Sequence, residues 1–306
     1  MIHGVLNVYK EKGFTSHDVV AKLRGIVGQK KIGHTGTLDP DAEGVLPVCL
    51  GKATKLCDML TDKDKTYETV MLLGITTDTQ DISGQVLEEH PTDDIREEDV
   101  RKIVNGFLGE YDQIPPMYSA LKVQGKKLYE LARQGIEVER KPRRVVIREI
   151  EILSIDLPRV EMRVTCSKGT YIRTLCDDIG RKLRCGGCME KLLRTRVERF
   201  EIKDSLKLFQ IEEHRDNGTL ESDLISIDAM FPQYVKLYLN EETAGAVQNG
   251  NMFHPEGINK TVPCTEEFHD NERALVYDEL GRFMAVYEFH SETGLFKIVK
   301  MFFDNK

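Results

Sequence analysis

The chain has 306 residues, with 43 Lys or Arg against 51 Asp or Glu, a net charge of −8, and 40% hydrophobic residues. That is the make-up of an ordinary soluble protein with one large core or two unequal ones, length alone favouring about two domains. No apolar run, Val45 to Leu50 included, approaches the length of a membrane span, and MIHGVLNVYKEKG lacks the pattern of a leader, so a cytoplasmic chain is expected.

Val5 to Tyr9 reads as a strand. Thr15 and Ser16 are candidate N-caps for a helix through about Ile26, with Val19, Val20, Leu23 and Ile26 on its apolar side. Residues 33–44, GHTGTLDPDAEG, form a loop with three glycines, His34, and Asp39 held toward extended backbone by Pro40. Such a segment resists continuous helix or strand and is suited to presenting side chains. Followed by Gly51-Lys52-Ala53-Thr54, it invites comparison with a phosphate-binding P-loop. The spacing rejects that, because six residues rather than four separate Gly44 from Gly51. No Gly-x-Gly-x-x-Gly opens a helix either, so no nucleotide cofactor is expected.

Lys65 to Gly74 alternates as a strand, and Ile95 to Phe107 is an amphipathic helix whose acidic first turn (Glu97, Glu98, Asp99) suits the helix dipole. From Lys122 to Arg148 nine basic residues face three acidic ones, and from Arg181 to Arg199 seven face two. Both stretches interleave charge with apolar residues, as a surface tracking a phosphate backbone would; a plain solvated face is the alternative. Val145 to Ile155 and Arg159 to Ser167 read as paired strands, and Tyr171 to Leu183 as a helix. Cys185-Gly186-Gly187-Cys188 could be half a zinc site or a redox pair, but no second ligand pair accompanies it. A glycine turn is the plainer reading, and no metal is expected. Seven cysteines, an odd number, point to reduced thiols.

Runs of strands with helices between them predict an α+β domain on a mixed, largely antiparallel sheet. Residues 212–306 carry eighteen acids and eight basic residues, a balance of −10 that leaves the first 211 at +2. With Pro232 closing a turn-rich stretch, the chain divides into 1–232 and 233–306. In the second part, Leu275 to Asp278 and Arg282 to Phe289 flank Glu279-Leu280-Gly281 as a hairpin, and Leu295 to Phe302 adds a third strand. A β domain of this size is expected to pack on the larger one.

The run GHTGTLDPDAEGVLPVCLGKATK resembles the catalytic-aspartate motif of the TruB family of tRNA pseudouridine synthases. GVLNVYKEKGFTSHDVV, DKTYE, GITTDTQDISGQV and CSKGTYIRTLCDDIG agree with that family in order, together covering most of residues 4 to 200. The resemblance implies a pseudouridine synthase catalytic domain followed by a small PUA-like β domain. It also implies isomerisation of the uridine at position 55 in the T-loop of tRNA, by base flipping and without cofactor. Asp39 would be nucleophile or charge stabiliser; attack on the uracil ring, attack on the sugar carbon and a glycal route all stay open. Arg173 would keep Asp39 ionised. Tyr67 would stack on the base and could accept a proton, and Tyr171 would shape the pocket. His34 would fill the space vacated by the base, and Asp81 would hydrogen-bond Tyr67 or the surroundings of the flipped nucleotide.

The basic insertion at about 122–148 resembles the family's thumb, with Arg143 and Arg144 as its first phosphate ligands. The T-arm of tRNA is then the partner, with no membrane and no protein partner implied. A monomer is expected, since no heptad seam is visible. The acidity of 212–306 opposes an RNA role for the tail unless Lys236, Lys260, Arg273 and Arg282 gather on one face. The rival reading is an RNA-binding, tRNA-folding chaperone without catalysis, against which stand intact Asp39, Tyr67 and Arg173.

Overall fold

The computed structural model describes residues 1–123, 125–259, 261 and 267–303, so Lys260 and one cysteine, Cys264, lie outside the described residues. Strand β1 (Gly4–Lys10) leads to helix α1 (Ser16–Val27). Thr15 caps that helix through a reciprocal box with Asp18, and Gly28 closes it at φ 69. Strands β2 (Ile32–His34) and β3 (Glu43–Leu50) flank the glycine loop, so its two ends are strand rather than loop. The short helix α2 (Cys57–Thr61), β4 (Lys65–Leu73), the hairpin β5 (Ile75–Thr77) with β6 (Val86–Glu89), α3 (Glu97–Asn105) and β7 (Gly109–Gln113) follow. A two-residue hairpin, β8 (Lys122–Val123) with β9 (Lys126–Lys127), and α4 (Leu128–Ala132) precede the long pair β10 (Arg143–Asp156) and β11 (Arg159–Cys166). Next come α5 (Ile172–Leu183), β12 (Gly187–Val197), β13 (Phe200–Glu201) and α6 (Leu208–Asp216). The chain ends with β14 (Val235–Tyr238), α7 (Glu241–Gln248), β15 (Arg273–Tyr277), β16 (Phe283–His290) and β17 (Leu295–Met301).

The large sheet runs β1-β3-β12-β4-β11-β10-β7, with β2 beside β3 and β13 beside β12. Along that path only β3 and β12 pair in parallel, so the sheet is mixed and largely antiparallel. Alternation decides its faces. Met162, Val164 and Cys166 of β11 and Met71 and Leu73 of β4 point at α3 and α5, which present Val100, Val104, Leu175, Cys176 and Ile179. Leu6, Val8, Leu46 and Val48 are covered instead by Val19, Val20 and Leu23 of α1 and Leu208 and Ile211 of α6.

The second sheet, β14-β15-β16-β17, packs one face on the first through Val5, Val45, Cys49 and Phe200 against Leu275, Tyr277, Val286 and Phe302. Its other face closes on α7 and Phe253 through Val247, Tyr287 and Phe296. Packing on the larger domain is therefore as expected. Of the four tail cations, Arg273 is paired to Glu288 at 2.9 Å and Arg282 to Asp278 at 2.7 Å. Among the described residues, no helix is long and apolar enough to cross a membrane.

Two expectations need correction. The insertion does not reach residue 148. Arg143 and Arg144 already belong to β10, because Val145 and Ile147 bury their side chains in register with β7 and carry the strand upstream. The stretch 181–199 is not a surface track as a whole either: residues 187–197 form an inner strand, flanked by β3 and β4. Cys185 and Cys188 are buried at the turn entering it, where Gly187 lies so close to Gly180 of α5 that no side chain fits between them.

Candidate active site

The loop between β2 and β3 is half-buried, and the carbonyls it turns inward need donors. Cations from two strands supply them. Lys10, fully buried at the end of β1, donates Nζ to the carbonyls of Pro40 at 3.0 Å and Ala42 at 2.5 Å. Burial pulls its pKa down to about 8, against the opposing pull of Asp39. Arg194 of β12, 1% exposed, donates to Val45 O (2.7 Å), Gly36 O (3.2 Å) and Thr37 O (3.4 Å). Ser16 at the start of α1 completes the brace, its Oγ accepting from Leu38 N at 2.9 Å. Of the loop's three glycines only Gly44 has positive φ, at 108. A Cβ there would sit 2.2 Å from the Arg194 carbonyl, so close strand packing, not ligand approach, requires glycine at that position.

Held this way, the loop turns Asp39 toward Arg173 at the start of α5. Arg173 Nε lies 3.0 Å from Asp39 Oδ2 and Nη2 lies 3.3 Å from Oδ1, a two-point pairing that the planar guanidinium suits. The arginine side chain is 6% exposed and the aspartate 39%, so the pair is fixed from below and open above. Arg173 also donates to Thr79 O (3.0 Å) and Tyr118 O (2.9 Å), and its Nη1 approaches Asp81 Oδ2 at 3.5 Å. Burial pushes the Asp39 carboxyl above the ordinary carboxylate value; Arg173 and Lys10 pull it back, while Asp81 and Asp41 add to the push.

Two cavities meet at this pair. One, of about 1130 Å³, lies over the sheet beneath Tyr118, Tyr129 and Arg133; the other, of about 560 Å³, is bordered by Tyr67, Tyr171, Arg143, Lys168 and Lys65. Asp39, Arg173 and Leu192 line both. Their charges differ. The first is rimmed by Asp41, Glu43, Glu68, Asp81, Glu161 and Glu190, whereas Asp39 is the only carboxylate among the described residues of the second.

The structure thus brings Asp39, Tyr67, Tyr171, Arg173, Arg143 and Arg144 to one cavity. Tyr67 of β4 is buried within hydrogen-bonding reach of Arg194, directly across the strand pair, and burial raises its phenol pKa. Tyr171 is clamped through its backbone by the Gln113 side chain, at 2.8 and 3.0 Å. Arg143 is exposed at the rim, whereas Arg144 is already paired with Asp112 at 3.2 Å and Glu110 at 3.3 Å.

Two residues make contacts that the sequence did not show. Asp81 does not bond Tyr67: its carboxylate accepts from Thr79, from Ser83 and from Arg173, because the turn that carries it is tied to β12 and α5. His34 lines neither cavity. Half-buried, it packs edge-on against His17 with ring centres 5.4 Å apart and accepts from Gly36 N, and burial lowers its pKa. Arg194 and Lys10 were absent from the candidates read in the sequence. The only signal for Arg194 was its place among Leu192, Leu193 and Val197. Two irregularities in the pairing of β12 with β4, near Lys191 and Thr195, break the alternation that would have shown which way it points.

Comparison with known proteins shows the family of the chain. Residues 24–172 match the family model described as TruB family pseudouridylate synthase (N terminal domain), and residues 173–231 match tRNA pseudouridylate synthase B C-terminal domain. The tRNA pseudouridine synthase B of Lachnoclostridium phytofermentans is 52% identical over 98% of this chain and 100% of its own length. That of Bacillus cereus is 43% identical over 100% and 99%. Among solved structures, one described as a Cbf5-Nop10-Gar1 complex superposes with a TM-score of 0.72 at 26% identity, covering 98% of this chain and 85% of that one. Another, an H/ACA RNP bound to a substrate RNA containing 2'-deoxyuridine, shares the fold at a TM-score of 0.71 and 24% identity, over 99% and 86%.

Proposed function

The chain belongs to the TruB family of pseudouridine synthases and is an isomerase, and from that premise we propose that it converts the uridine at position 55 in the T-loop of tRNA to pseudouridine, with Asp39 as the reacting carboxylate. In this isomerisation the N1–C1′ bond breaks, the uracil turns, C5 bonds to C1′, and the C5 proton is lost while N1 regains one. Nothing is oxidised, so the side chains need supply only position, charge and proton transfer.

The observation that carries the reading is the Asp39–Arg173 pair, fixed from beneath by a buried guanidinium and open to both cavities. The carboxylate acts as nucleophile or as counter-charge to a cationic sugar, and Arg173 opposes the desolvation that would protonate it. Tyr67 stacks on the flipped base, and Tyr171 forms the opposite wall. The cavity bordered by Arg143 and Lys168 takes the anionic backbone of the flipped nucleotide, while the carboxylate-rimmed one repels it. Flipping costs about a few kcal/mol, and His34, released from His17, fills the gap in the RNA. The segment from about 122 to 142 folds over the T-arm as the thumb. Residues 1–232 form the catalytic domain and 233–306 a PUA-like domain, in a cytoplasmic monomer.

The test is tritium release from T-arm stem-loops labelled at C5 of a single uridine. Release from position 55 and from no other labelled uridine is expected; equal release from several positions, or from none, contradicts the assignment.

A further inference from the structure

One residue beside the ion pair has the hallmarks of a built device. Gln80 sits at φ 64, in the left-handed region that a non-glycine residue enters only at a steric cost. Its backbone is held from two directions, N donating to Thr77 O at 3.2 Å and O accepting from Met189 N at 3.0 Å, while Ile82 N donates to Met189 O at 3.0 Å. Its side chain reaches α5. Oε1 accepts from Thr174 Oγ1 at 2.7 Å, and Nε2 donates to Asp177 Oδ2 at 3.1 Å. Asp177 is almost fully buried and holds Arg181 at 2.8 Å as well.

Thr174 and Asp177 follow Arg173 on the same helix by one and four residues. The helix that carries the arginine therefore also grips the turn, whose neighbouring residues, Thr79 through its carbonyl and Asp81 through its carboxylate, both receive Arg173 Nη1. An amide is the one ordinary side chain of this length that accepts at one atom and donates at the other. Glutamate could not donate to Asp177, and methionine could do neither.

We infer that Gln80 is a positioning residue for the isomerisation: it locks the Thr79–Asp81 turn onto α5, so that Arg173 is held on its Nη1 side and presents Nε and Nη2 to Asp39. The inference rests on the reading of Asp39 as the reacting carboxylate. Strain stored in a local backbone and balanced by side-chain bonds is a known way to fix such a geometry, and a displacement of about 1 Å at a reacting group can cost about 100-fold in rate.

The experiment is single-turnover tritium release from the C5-labelled T-arm stem-loop, with RNA affinity measured in parallel, for wild type, Gln80→Glu and Gln80→Glu/Asp177→Asn. In the first variant two carboxylates face each other across the clamp; in the second, the amide introduced by Asp177→Asn supplies the missing donor with the partners exchanged. A rate loss of about 10- to 100-fold is expected for Q80E, with affinity within about twofold, and the double variant should recover most of the rate. Unchanged RNA affinity in Q80E, measured on the same samples, separates lost positioning from a general loss of folded protein. If Q80E does not fold, Gln80→Asn, which keeps the amide but shortens its reach, is read in the same way. Wild-type rate in Q80E or Gln80→Asn, a loss confined to affinity, or a double variant no faster than Q80E overturns the inference. Failure of wild type itself to release label strikes the proposed function instead, so the two failures are distinguishable.

Discussion

The two sheets of this protein deal with charge in opposite ways. The large sheet and its helices bury Lys10, Lys65, Arg173, Asp177 and Arg194, of which Lys10 and Arg194 hold the loop that carries Asp39 and Arg173 holds Asp39 itself. The C-terminal sheet, although its stretch of chain is the acidic one, buries a single charged side chain among the described residues, Asp278, and uses it to close the turn with Arg282. Its interior is instead aromatic and aliphatic, with Phe253, Tyr287, Phe289 and Phe296 in mutual ring contact. Burying an ion costs several kcal/mol unless hydrogen bonds offset it. The large sheet therefore accepts a cost that the small one mostly avoids, and three of its buried cations hold Asp39 or the loop that presents it. Net charge along the sequence says where solvent-exposed acids lie; it does not say where charge is used.

That contrast can be broken by substitutions that read out on different axes. Arg173→Met should lower the single-turnover rate by about 100- to 1000-fold, the usual effect of losing a preorganised charge partner, while RNA binding persists. Phe296→Ala should cost about 3–5 kcal/mol of stability by chemical denaturation, with an unchanged rate per folded molecule. If Phe296→Ala slowed the chemistry, or Arg173→Met only unfolded the protein, the division of labour would fail.

A pH profile sharpens the same point. Because burial holds the Asp39 carboxyl above its ordinary value, the rate should rise with pH through a limb above the usual carboxylate range, as the ionised form appears. Removing Arg173 removes the main downward pull, so what activity remains should have that limb at still higher pH; a limb moving lower would contradict the assigned pairing. Smaller effects belong to the rim. Arg143→Ala should weaken T-arm binding and reduce its salt slope by about 1. Arg144→Ala should leave T-arm binding nearly unchanged, because its exposed partners Glu110 and Asp112 already neutralise it. A larger loss of binding from Arg144 than from Arg143 would reverse their placement.

Much of this was legible locally. The helix cap at Thr15, the alternation of β11 and the turn at 279–281 are decided within a few residues, and the structure repeats them. The presenting loop was visible too, since Gly33, Gly36 and Pro40 cannot continue a regular element together. Hidden were the relations that only the sheet creates. Arg194 meets Gly36 from a strand more than 150 residues away, at a place where pairing irregularities mask which side chains face inward. Gly44 is glycine because of that same strand. Asp81 seemed free to reach Tyr67 until the turn around it was seen tied to α5 through Gln80.

The central claim is that the carboxylate of Asp39 does the chemistry that the surrounding buried cations exist to support. Tritium release from a C5-labelled T-arm stem-loop, measured for wild type and Asp39→Asn at RNA concentrations where both are saturated, tests it most directly. The account predicts full release by wild type and none by the variant, with comparable RNA affinity. Release by Asp39→Asn at the wild-type rate, or binding without release by both proteins, as a tRNA-folding chaperone would show, contradicts it.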